Sequence, residues 1–218
     1  MINFFCIVSF VLCIVTGMSS PCSQLNSSRP FCNTSWSLDD RVSNFMSYLT
    51  VSEKLSLLRA HNPALSSLPI GSYDWDTEVL HGISSNYDNF PSSVIPQPTI
   101  FPNGIGLAAS FNPELLTKVA DIIATEQRAI HNSVISNTTF ESHNMQGLNG
   151  YAPNCNLLRD PRWGRAAETY GESPRLIADL CSAYIRGLQG NHSHYLKIAA
   201  TVKHYGFYSG PECDSGCP

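Results

Sequence analysis

The chain has 218 residues, of which 43% are hydrophobic and 14% charged, with a formal net charge of -4. That length and apolar content can bury the core of one large domain or of a piece of one, and the low charge density argues against long disordered tails. Scattered Lys and Arg on a mildly acidic chain leave no basic footprint for nucleic acid, which is excluded as a partner class.

Residues 1–20, MINFFCIVSFVLCIVTGMSS, combine a polar start, an apolar run from Phe4 to Gly17 and a small-residue end. The run falls short of the ~20 residues that cross a bilayer, so the segment reads as a secretory signal peptide, and no stable membrane insertion is expected. Because no Lys or Arg precedes the run, an uncleaved anchor is the alternative. Secreted, N-glycosylated protein agrees with sequons at Asn26, Asn33, Asn137 and Asn191. Outside the signal stand Cys22, Cys32, Cys155, Cys181, Cys213 and Cys217, an even set that an oxidising compartment could pair in fifteen ways. No two CxxC pairs occur at zinc spacing, so disulfides or buried thiols are expected ahead of a metal site.

Residues 21–37 form a polar, cysteine-flanked leader, and the main domain is expected over 38–218. A helix is predicted from Leu38 to Leu49, capped by Ser37, with Asp39 and Asp40 in its first turn and Val42, Phe45, Met46 and Leu49 on one face. Thr50 and Glu53 have the spacing of a capping box and open a second helix. The segment from His61 to Asn103, rich in Ser, Pro and Asn, is expected to be mostly loop, in which Asp74 and Asp76 read either as a carboxylate pair or as turn residues. Asn112 and Pro113 start a helix whose stripe is Leu115, Leu116, Val119, Ile122 and Ile123. GYAPNCNLL then reads as a short strand. Ser173 and Pro174 start another helix, with Leu176, Ile177, Leu180, Tyr184, Ile185 and Leu188 inward and Gly187 and Gly190 ending it.

YLKIAATV is a strand again, and strands alternating with helices of this length predict parallel βαβ units and an α/β fold. In such folds ligands meet residues at the carboxyl ends of strands, which is where Lys203 and His204 stand. Taken alone, that pair reads as a solvent-facing Lys and a satisfied structural His. The loop before the helix that Ser173 opens changes the weighting. Arg159, Asp160, Arg162, Arg165, Glu168 and Glu172 crowd together there, with Trp163 between as a packing residue. Such a loop can hold itself together by charge-assisted hydrogen bonds and can also present a rigid fork of donors to neutral hydroxyls. His192 and His194 in NHSHY have a metal pair's look but no nearby carboxylate, and read as solvated.

YDWDTEVLHG, YAPNCNLLRDPRWGRAAETYGESP and LKIAATVKHYGFYSGPE, in that order, resemble the amino-terminal domain of the family 3 glycoside hydrolases, in their β-xylosidase-like branch, from about Phe31 to Glu212. The resemblance implies a partial (β/α)8 TIM-type barrel, here its amino-terminal portion only, and a secreted retaining exo-β-glycosidase acting on O-glycosyl bonds of xylan-derived oligosaccharides. It also implies Glu78 as a pocket carboxylate, Tyr151 as a residue lining the same subsite, and Arg165, Lys203 and His204 as donors to a bound sugar ring. No cofactor or metal is implied.

Two departures qualify what carries over. Retaining glycosidases use two carboxyl groups, and the segment holding the family's nucleophile lies downstream of anything matched here. Glu212 and Asp214, the carboxylates after His204, do not fit it, so no catalytic residue is assigned and the chain alone is expected to be inactive, dependent on a missing carboxy-terminal part. Where the xylosidase-like members carry two tryptophans, this chain has Trp75 followed by Asp76. An Asp there leaves room for a hydroxymethyl group, making a β-glucosidase the first alternative. A non-catalytic sugar-binding or inactive truncation product is the second.

Overall fold

The computed structural model describes residues 22, 29–68, 70–84, 97–137, 146–193, 195–206 and 208–210. The expected signal segment, the Asn26 sequon, His194, Cys213, Cys217, Glu212 and Asp214 lie outside these residues.

Helix α1 spans Leu38–Ser47, with the Ser37 side chain accepting from the Asp40 amide as predicted. It stops short of the expected Leu49, which is buried just beyond it, while Val42 is 51% exposed rather than inward. Helix α2, Val51–Ser56, begins at the complete Thr50–Glu53 capping box. Glu53 also accepts from Ser66 Oγ and from the amide and hydroxyl of Ser67, so one carboxylate ties the helix start to the following loop. Those bonds, Ser67's first, hold its pKa well below the usual carboxylate range. Strands β1 (His61–Asn62) and β2 (Tyr73–Asp74) pair antiparallel, with His61 opposite Asp74. The Asp76 amide donates to Asp74 Oδ1, which is the turn role, one of the two readings of these aspartates. This amino-terminal unit has its own small core of Phe31, Leu49, Leu65 and Leu68, beside a Cys22–Cys32 disulfide.

The main body is βαβ. Short helix α3 (Gly104–Ala108) precedes the 25-residue α4 (Pro113–Asn137), begun by the Asn112 side chain accepting from the Leu115 amide. Strand β3 (Asn149–Gly150), helix α5 (Pro174–Gln189) and strand β4 (Ala199–Ala200) follow. β3 and β4 are parallel, Thr77 bridges to Gly150 in parallel on the other side, and Asn154 bridges to Lys203. The spatial order is therefore Thr77, β3, β4. The two predicted strands are real extended segments, but ladder pairing is confined to a few residues of each.

Helices α4 and α5 pack on one another and over these parallel segments. Their buried faces include Leu116, Val119, Ala120, Ile123 and Ala124 from α4, and Leu180, Ala183, Tyr184 and Leu188 from α5, meeting Val79, Ala152 and Ile198 from the strands. Each fully buried aliphatic side chain contributes about 1.5–3 kcal/mol of transfer free energy. The α4 stripe is rotated from the one read in the sequence: Leu115 and Ile122 are exposed, and Ala120 and Ala124 take the inward positions. Small residues there let α5 approach closely. Gly187 is part of that approach and does not end α5, since a Cβ on it would lie 2.3 Å from the Thr117 carbonyl oxygen. Gly190, with φ of 71°, is the residue that ends the helix. A Cys155–Cys181 disulfide joins the segment after β3 to α5.

Candidate functional site

Glu78 follows the Thr77 bridge at the end of the first parallel segment. The Tyr184 hydroxyl, fully buried on α5, reaches the carbonyls of Val79 (2.7 Å) and Leu80 (3.0 Å) and fixes the backbone immediately after Glu78. Burial, then Tyr170 and Glu78, raises the Tyr184 pKa, so this hydroxyl stays a donor. The Glu78 carboxylate accepts from the Leu80 amide at 2.8 Å through Oε1 and from Lys203 Nζ at 2.9 Å through Oε2. Lys203 arrives from the segment after β4, where its amide donates to Pro153 O and its carbonyl accepts from the Cys155 amide. The Lys203–His204 and Ala152–Pro153 peptides are cis.

Arg165 and Glu168, separated by one 3-10 turn, form a bidentate pair at 2.7 and 2.5 Å. Burial pushes the Glu168 carboxyl up, but the Arg165 bonds and charge, Lys203 and the Asn154 amide outweigh it, leaving the pKa below its ordinary value. Glu168 in turn raises that of Arg165. Gly104 at the start of α3 sits against the Glu168 backbone, where a Cβ would lie 2.3 Å from the carbonyl oxygen. Further out in the same loop Arg162 pairs with Asp160, lowering its pKa to about 2. That pair is structural and belongs to the loop's exterior. Trp163 is 1% exposed and packs edge-on against Tyr208, the packing role expected of it.

Glu78, Arg165 and Glu168 line a cleft of about 530 Å³ together with His81, Asn103 and Ile100. Lys203 joins the cleft through Glu78. His204 lies beside it: its ring meets Tyr208 edge-on at 4.8 Å, and the Arg165 guanidinium stands 5.8 Å from the centre of the Tyr208 ring. Tyr151 is held beside the Glu78 segment by its amide, which donates to the Thr77 carbonyl at 2.8 Å, and its phenol pKa is raised by burial and then by Asp76 and Asp74. Among the described residues no hydrogen bond joins its side chain to Glu78, Arg165, Lys203 or His204. A larger cleft of about 1130 Å³ between α4, α5 and residues 189–197 contains none of the predicted site residues.

The sequence reading missed the supports. Asn154 donates to Glu168, Asn156 holds His204, and Tyr208 contacts both Trp163 and His204. Asn154 and Asn156 are two residues apart, hence on one side of an extended chain, and that spacing was the available signal. Chemically, the site alternates cation and anion (Lys203, Glu78, Arg165, Glu168) with each charge partnered. Lys carries three N–H donors, of which Glu78 takes one. Such an array presents fixed charged donors and acceptors to groups that both donate and accept, which is the property of a hydroxyl.

Residues 77–217 match the sequence profile described as "Glycosyl hydrolase family 3 N terminal domain". The chain is 39% identical over 206 residues to a xylan 1,4-beta-xylosidase of Xylanibacter ruminicola, covering 94% of this chain and 22% of that protein. It is 37% identical over 215 residues to beta-D-xylosidase 1 of Arabidopsis thaliana, covering 93% and 26%. Among solved structures it resembles a family 3 exo-beta-xylosidase in complex with a xylobiose aziridine activity-based probe, with a TM-score of 0.70, 31% identity and coverage of 88% of this chain and 23% of that one. A beta-glucosidase of Kluyveromyces marxianus in complex with glucose matches with a TM-score of 0.54 and 27% identity over 75% of this chain and 17% of that one. The chain thus spans about a quarter or less of the length of these relatives.

Proposed function

Since the chain belongs to glycosyl hydrolase family 3 through that family's N-terminal barrel domain, we propose that it is the sugar-binding part of a secreted, retaining exo-β-glycosidase of β-xylosidase type. The observation that carries this reading is the Lys203–Glu78 ion pair at 2.9 Å, formed at the carboxyl ends of two parallel segments beside the Arg165–Glu168 pair. In this reading Glu78 accepts from sugar hydroxyls while Lys203 donates to them, with Arg165 and His204 near the same ring and Tyr151 at the edge of the subsite. Charge-assisted hydrogen bonds are about twice as strong as neutral ones and reward correct stereochemistry. Those that tighten as the ring flattens toward an oxocarbenium ion lower the barrier to bond cleavage. These residues bind and orient; bond cleavage itself belongs to carboxyl groups that are not assigned on this chain, in keeping with its share of its relatives' length. No metal or organic cofactor enters the proposed chemistry.

A β-glucosidase is the second reading, favoured by Asp76. It stands immediately before Thr77, which pairs with the Gly150–Tyr151 segment, and a carboxylate beside Tyr151 could take a hydroxymethyl group. Secretion and N-glycosylation remain part of the proposal, supported by exposed sequon asparagines at Asn33 and Asn191 and by two disulfides. Titrating the protein with methyl β-xyloside and with methyl β-glucoside tests the reading. Saturable binding that Lys203→Ala abolishes is expected, with the preferred sugar deciding between the two specificities. A folded protein that binds neither sugar overturns it.

A further inference from the structure

Asn156 is buried, and both ends of its amide are engaged. Its Nδ2 donates to the Tyr208 carbonyl at 2.6 Å, and its Oδ1 lies 2.9 Å from both the His204 backbone amide and the His204 ring Nδ1. An Asn amide has two possible orientations, and here the neighbours decide. A backbone carbonyl only accepts and a backbone N–H only donates, so nitrogen must face Tyr208 and oxygen must face His204. An amide oxygen only accepts, so the proton on the imidazole must sit on Nδ1. In the neutral ring the lone pair is then at Nε2.

We propose that Asn156 is a positioning residue that fixes His204 as the Nδ1–H tautomer, so that His204 meets a sugar hydroxyl as an acceptor at Nε2 while its neighbour Lys203 meets one as a donor. This revises the expectation that both residues donate. The tautomer half stands on the geometry alone; the sugar half rests on the pocket proposed above. A donor and an acceptor delivered side by side from one strand end would read the direction of hydroxyl hydrogen bonds, which two donors could not do. Tyr208 closes the arrangement: its carbonyl orients Asn156, and its ring packs edge-on against the imidazole at 4.8 Å.

The test is nitrogen NMR of the full chain labelled with 15N-histidine, at mildly alkaline pH, with His204→Gln assigning the resonances. A pyrrole-type Nδ1 and a pyridine-type Nε2 are expected for His204. The opposite pattern, or two pyrrole-type nitrogens, overturns the tautomer. Asn156→Asp, which keeps an acceptor facing the ring, should preserve the pattern, whereas Asn156→Leu should give a mixture of tautomers. An unchanged pattern in a folded Asn156→Leu protein refutes the positioning role. Adding methyl β-xyloside should move the Nε2 resonance, and Asn156→Leu should weaken binding about tenfold, the worth of one hydrogen bond. If the sugar binds and Nε2 does not respond, the acceptor role is wrong. If the tautomer is as stated but no sugar binds, the pocket reading fails and the lock on His204 stands.

Discussion

Lys203 and Glu78 allow an energetic test that separates a designed pairing from an incidental one. Side-chain exposure is 12% for Lys203 and 35% for Glu78, which places the pair between an exposed salt bridge, worth about 0.2–1 kcal/mol, and a buried one, where removing one partner costs about 3–5 kcal/mol. A coupling of about 1–2 kcal/mol follows from that intermediate position. The cost should also be asymmetric. Glu78→Gln strands the more deeply buried ammonium, whereas Lys203→Met leaves a carboxylate that keeps the Leu80 amide and more solvent. Urea denaturation of wild type, Glu78→Gln, Lys203→Met and the double variant measures both quantities. The expected order is Glu78→Gln least stable of the two single variants, with the double variant more stable than additivity predicts. Effects that add to within about 0.3–0.5 kcal/mol, the tolerance for independent sites, would refute the coupling.

Tyr184→Phe should cost about 1–2 kcal/mol by removing the buried donor to Val79 and Leu80, seen as a melting temperature lowered by about 2–8 °C; an unchanged melt would detach α5 from the Glu78 loop. Gly187→Leu should prevent stable packing of α5, because its Cβ alone meets the Thr117 carbonyl and there is backbone, not a movable side chain, in the way; a native circular-dichroism melt from that variant would contradict the close approach. Glu168 has a folded pKa below its ordinary 4.5, so its contribution to stability is complete above that pH and is lost as pH falls through the folded value; melting temperature against pH should therefore decline below 4.5, less steeply in Glu168→Gln. Removing the Cys155–Cys181 bridge, whose cysteines are 26 residues apart, should cost about 3–4 kcal/mol in the chain-entropy account, read as a lower urea midpoint for Cys155→Val/Cys181→Ala; an unshifted midpoint would mean the bridge constrains nothing.

Local chemistry was the part of this structure that the sequence made legible. Ser37, Thr50 with Glu53, Asn112 and Ser173 all cap the helices they were expected to cap, because a cap needs only groups within three residues of each other. The alternation of strand and helix likewise indicated parallel βαβ units. The faces of the helices were harder. Leu115 and Ile122 are apolar yet exposed, and Gly187 was read as a terminator, because close helix packing selects small residues that a hydrophobicity pattern does not register. Within the site, Glu78, Arg165, Lys203 and His204 were named from motif resemblance, and the chain does bring them to one region. Their partners could not be read that way: Asn156 meets His204 across 48 residues and Tyr208 across 52, distances at which no local rule operates.

The separation of 125 residues between Glu78 and Lys203 has a consequence for biosynthesis. At a translation rate of about 5–20 residues per second, Lys203 leaves the ribosome roughly 6–25 s after Glu78. Throughout that interval Glu78 lacks its cation, and α4 presents Leu116, Ile123 and Ile130 before the partner surface on α5 has been completed. The nascent chain must therefore shelter an apolar helix face for seconds, a long time beside the microseconds in which helices themselves form. Chaperone engagement should concentrate on the interval between α4 and β4, and β4 is the strand whose emergence brings Lys203 to Glu78.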